Sequence, residues 1–142
     1  MRGLQNLIRI HKSKLEAERR KLSELEALGA SFVRQIEALL ETADAEGRAA
    51  GDSPDTAHAI GAFVQGALAR VQTLRASLAD VERETAGIRE RIHEAFRELK
   101  RYEIVEERRV GREQFAERRR DRIAEDEIGL GLHRRNARLQ AG

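Results

Sequence analysis

Four histidines, His11, His58, His93 and His133, are the residues of this 142-residue chain best suited to metal or acid–base chemistry near neutral pH. No two stand three or four positions apart, so on a helix none would share a metal-binding face. Adjacent carboxylates occur at Glu106-Glu107 and Asp126-Glu127. Neighbours on a helix point about 100° apart and make poor general acid/base pairs. There is no cysteine, which excludes disulfides, thiolate metal sites and thiol catalysis. Glycine-rich phosphate loops, serine-centred elbows and metalloprotease motifs are absent. The sequence offers no catalytic constellation, no metal ligand set and no cofactor site, and the expectation is a non-enzymatic protein.

The composition explains what the chain does instead. Lys+Arg number 27 and Asp+Glu 25, so 37% of the residues are charged while the net charge is only +2. One Tyr, four Phe and no Trp leave little for a thick globular core. High charge at near-neutral balance, rich in Arg, Glu, Ala and Leu, is the composition of long helices and coiled coils. The N-terminus shows no apolar stretch suited to a secretory signal, and nothing approaches a membrane span. A soluble, cytoplasmic protein is expected.

Spacing places the helices. The only strong punctuation is Asp44 to Pro54, DAEGRAAGDSP, where Gly47 and Gly51 weaken a helix and Ser53-Pro54 reads as a helix start. Steps of four and three from Leu4 reach Ile8, His11, Leu15, Glu18, Leu22, Leu25, Gly29, Phe32, Ile36, Leu39 and Ala43. From Ile60 the same steps run through Val64, Ala67, Val71, Leu74, Leu78, Val81, Thr85, Ile88, Ile92, Ala95 and Leu99 to Tyr102. Unbroken 4-3 spacing of mostly large apolar residues is a coiled-coil seam. A short connection makes the two helices antiparallel neighbours.

The fold class is therefore all-α: an antiparallel two-helix coiled-coil hairpin whose longer second helix overhangs at the C-terminal end. The chain reads as one coiled-coil unit, residues 1–142, with helix 1 about 4–43, a loop at 44–53, and helix 2 about 54–135. Matching small and polar layers favours a register in which facing positions sum to about 96. That register sets Gly29 against Ala67 and His11 against Thr85, and leaves Glu18 against Leu78. It also leaves 96–135 as an unpaired overhang. Nine acidic and nine basic residues lie between Glu103 and Arg135, so this segment is either a solvated helix held partly by charge pairs or one ordered by a partner.

Nucleic acid is not an expected partner. Residues 1–25 carry seven basic and three acidic residues, but carboxylates interleave even the Arg118-Arg119-Arg120 run through Glu117 and Asp121, whereas a phosphate-tracking face should be one-signed. Membrane anchoring is also not expected, because the apolar stripe of the N-terminal region is used by the seam. Toward the loop, Leu28 and Val33 flank the seam of helix 1, while Phe63 and Leu68 flank that of helix 2. They broaden the hairpin's core or form an exposed patch for partner binding. Residues 37–56 hold six acids and one Arg, so the loop end is negative and the chain-end half mildly basic.

LQNLIRIHKSKLEAERRKLSELE at 4–26, EAFRELKRYEI at 94–104 and DEI at 126–128 resemble the flagellar FliJ family, small coiled-coil proteins of the bacterial flagellar type III export apparatus. The resemblance runs over nearly the whole chain, and ERRKL, ELKRYE and DE are its more particular segments. It implies a stalk-like role similar to the central shaft of rotary ATPases. The hairpin would insert into the hexameric export ATPase, promoting ring assembly and activity, and would engage the export gate cytoplasmic domain and export chaperones. On this view the termini-proximal half and overhang enter the ring; position and chemistry, not a family motif, assign Leu28, Val33, Phe63 and Leu68 to the gate. The protein would be a monomer when free and would reach the cytoplasmic side of the inner membrane only through the apparatus. The stalk of a virulence-type secretion system and a generic structural coiled coil are the competing readings.

Overall fold

A computed structural model describes residues 2–49, 51 and 53–141. Two helices account for nearly all of them, α1 (Arg2–Arg48) and α2 (Pro54–Ala141), and no strand occurs among the described residues. α2 begins where Ser53-Pro54 directs: the Ser53 carbonyl accepts the Ala57 N–H at 2.9 Å, so Ser53 occupies the N-cap position and Pro54 the first helical one. α1 runs past the expected end near Ala43. Gly47 is absorbed in its last turn, where Arg48 pairs with Asp44 one turn earlier and places a cation at the negative end of the helix dipole. α2 likewise continues beyond Arg135. Of the expected loop, positions 50 and 52 lie outside the described residues.

Contacts divide the chain into two units: His11–Arg97, and the residues up to Ile10 together with those from Glu98 onward. In the first, the seam is visible in burial alone. Leu15, Gly29, Ile36 and Ala43 are buried on α1, as are Ala67, Val71, Leu74, Val81, Thr85 and Ile88 on α2. These follow the 4-3 steps, with half-buried Leu22, Leu25, Phe32 and Leu78 between them. Val71 and Leu74 are 1% and 2% exposed and cluster with Ile36, against which Phe32, Leu39 and Leu78 also pack. Each such side chain contributes about 1.5–3 kcal/mol by leaving water.

The register differs from the expected one. A Cβ on Gly29 would sit 3.5 Å from Val81 Cγ1 and 3.6 Å from Leu78 Cδ1, and Ile36 packs with Val71 and Leu74. Facing positions therefore sum to about 110, two heptads beyond the expected 96. The expectation paired small with small; in the structure Gly29 is instead a hole that receives large side chains, as knobs-into-holes packing prefers. Glu18 does not oppose Leu78. It meets Arg91 at 3.5 Å and Lys21 at 3.8 Å, which removes the defect of a carboxylate facing an aliphatic layer. Thr85 lies beside Leu25 and Gly29 rather than His11.

The second unit shows where pairing ends. Leu99 is buried, and Leu4, Leu7 and Ile8 are half-buried. The Gln5 side-chain amide donates to Glu106 Oε1 at 3.4 Å. Pairing of the first turns of α1 thus reaches Glu106, and the unpaired stretch does not begin at 96. It begins near Gly111, from which every described residue to Ala141 is exposed. At ~1.5 Å rise per residue this stretch is about 46 Å long.

Candidate partner-binding surface

Leu28, Val33, Phe63 and Leu68 are all substantially exposed, between 40% and 48%. The broadened-core reading therefore does not account for them. They do not form one patch either. With facing positions summing to 96, Leu28 would be level with Leu68 and Val33 with Phe63. The observed two-heptad shift separates the α1 pair from the α2 pair by about 21 Å along the coil. Val33 lines a groove with Leu25, Gly29, Ala30, Leu78 and Val81, bordered by the Arg89–Glu26 ion pair at 3.1 Å. Leu28 lines a different groove with Leu25, Ile88 and Arg91. Phe63 sits nearer the loop, beside Ala59, Ile60, Glu46 and Asp55. The result is three separate, weakly concave apolar grooves with charged rims, lined by Val33, Leu28 and Phe63 respectively, a form suited to helices or extended segments of a partner.

The histidines gather nowhere. His58, His93 and His133 are exposed and His11 is half-buried on the seam. Among the described residues no cluster of His, Asp or Glu could hold a metal ion. Glu106 and Glu107 diverge as the helix requires: Glu107 faces solvent, while Glu106 joins a network at the start of α1. Arg109 donates through Nε and Nη2 to Glu106 at 3.1 and 2.7 Å, and through Nη1 to Glu113 at 2.7 Å. The hydrogen bond from Arg109 holds the Glu106 carboxyl below its ordinary value, and the same bond raises the Arg109 guanidinium. This fork is a structural clasp: the Gln5 amide of α1 hydrogen-bonds to the carboxylate that Arg109 holds.

Sequence reasoning reaches Ile123 and Leu130 on the row that continues the seam but misses the other apolar residues of the unpaired stretch. Phe115, Ile123, Ile128, Leu130, Leu132 and Leu139 are all at least half exposed. Phe115, Ile128, Leu132 and Leu139 escape seam counting because they lie off the row that continues the hairpin seam.

The fold is that of a two-helix coiled-coil protein. The chain belongs to the flagellar FliJ protein family, whose pattern it matches over residues 1–138. No curated protein and no solved structure matches it. Membership makes the chain a component of the flagellar export apparatus, with roles in protein transport and motility, and the family is one of structural export components. Among the described residues no helix is long and apolar enough to cross a membrane.

Proposed function

We propose that this protein is the stalk that couples the export ATPase to the export gate. The carrying observation is the stretch 111–141: a continuous helix, with every described residue exposed, on which no core is built. A single helix of mixed charge fits the interior of a hexameric ring, where many weak polar contacts permit several orientations. Insertion there would promote ring assembly and raise ATPase activity. Family membership supports the flagellar reading over a generic coiled coil or the stalk of a virulence-type system.

In the same proposal Leu28, Val33, Phe63 and Leu68 bind the export gate cytoplasmic domain and export chaperones, through separate surfaces rather than one patch. The free protein is a cytoplasmic monomer that reaches the inner membrane through these partners. Ring assembly of the ATPase, followed by sedimentation velocity with and without the chain, tests the first half; unchanged sedimentation contradicts it. Phe63→Asp tests the second. It should abolish capture of the gate domain while circular dichroism stays unchanged, and undiminished capture would refute the assignment.

A further inference from the structure

Around the helix, the acids of residues 101–122 all avoid one face, although acids and bases interleave along the chain. Projected at 3.6 residues per turn, Arg101, Arg108, Arg112, Phe115, Arg119 and Arg122 fall within about 60° of a line through Arg108. The six carboxylates between 101 and 122 lie about 100° or more from that line. Glu106, Glu113, Glu117 and Asp121 are on the opposite side. The face turned away from α1 is thus basic over ~32 Å. All six residues of the row are exposed, and Phe115 at its middle is 67% exposed.

The arginines of the row are also uncommitted. Among the described residues none of the five makes an ion pair or a side-chain hydrogen bond, whereas Arg109, on the α1 side, is held by two carboxylates. Like charges in a row repel without a counter-surface, so this face is complementary to something acidic.

We infer that this face binds an acidic helix of a partner protein. Three features select that class. The row advances by 7, 4, 3, 4 and 3 residues, the repeat that keeps side chains aligned with a second helix wrapping the first. A flat lipid surface asks only for sidedness. Every cation in it is Arg, whose planar fork engages carboxylates two bonds at a time. A lone, central, exposed aromatic framed by arginines is the composition of a protein–protein anchor. Single-stranded nucleic acid instead takes repeated stacking rings, of which this face has one. The partner segment carries Asp or Glu at matching 4-3 positions, with an apolar residue to cover Phe115. The inference does not depend on the ATPase reading.

The test uses the full chain and two labelled helical peptides of identical composition. One places its glutamates in a 4-3 row around a central leucine; the other scatters them around the helix. Fluorescence anisotropy at physiological salt should show the aligned peptide binding about tenfold tighter or more. Arg112→Glu with Arg119→Glu should remove that advantage, and Phe115→Ala should weaken the aligned peptide severalfold, with helicity by circular dichroism unchanged. If the charge reversal unfolds the segment, Arg112→Gln with Arg119→Gln serves in its place. Equal binding of the two peptides would overturn the inference, as would indifference to Phe115. So would tighter binding of single-stranded DNA or phosphatidylglycerol vesicles than of the aligned peptide.

Discussion

Gly29 lies directly beneath Val81: a Cβ added at position 29 would stand 3.5 Å from Val81 Cγ1. That is ordinary contact distance, with no positive φ to forbid a side chain. Gly inside a helix costs about 1 kcal/mol relative to Ala. Gly29→Ala should therefore stabilise the hairpin by up to ~1 kcal/mol, read as a higher denaturant midpoint. Gly29→Leu should destabilise, because its extra atoms have to displace Val81 and Leu78.

The same contact fixes the register, and crosslinking reads it out. Cysteines introduced as Ile36→Cys and Leu74→Cys should form a disulfide readily under mild oxidation, since those residues share one buried cluster. The pair Leu22→Cys and Leu74→Cys, level only in the shorter register, should not, because the two positions are about 21 Å apart along the coil. Reversal of these two outcomes would restore the register that sums to 96.

The 4-3 steps from Leu4 and Ile60 coincide with the buried positions, so both helices, their antiparallel pairing and the start at Ser53-Pro54 were readable. Heptad periodicity is silent about sliding by whole heptads, because every seam position is replaced by another. Choosing among slides then rested on which layers match, and the like-with-like rule failed at Gly29. The separation of Leu28 and Val33 from Phe63 and Leu68 along the coil follows from that one error. The acid-free face of 101–122 was hidden for a different reason. Glu117 and Asp121 flank Arg118-Arg119-Arg120 along the chain, and only the helical turn carries Arg119 to the face that the acids leave free.

Acid should loosen the first turns of α1 in a defined window. The Glu106 carboxyl, lowered by the Arg109 hydrogen bond, contributes its full stabilisation above the unfolded carboxylate range. It loses that contribution as pH falls through its own, lower value. Amide protection in Arg2–Ile10, corrected for intrinsic exchange, should hold steady from neutral pH down to the ordinary carboxylate range and fall only below it. Glu106→Gln should reduce protection at neutral pH and flatten the acid dependence, while His11–Arg97 remains unaffected.

What the unpaired stretch does is read most directly by ATP turnover. The rate of the flagellar export ATPase from the same organism should rise as this protein is added. The rise should disappear with a chain that stops at Val110, which keeps the Gln5–Glu106–Arg109 clasp but lacks the exposed helix. No change in rate across a wide range of concentrations of the full chain, or full stimulation by the shortened one, would contradict the stalk reading.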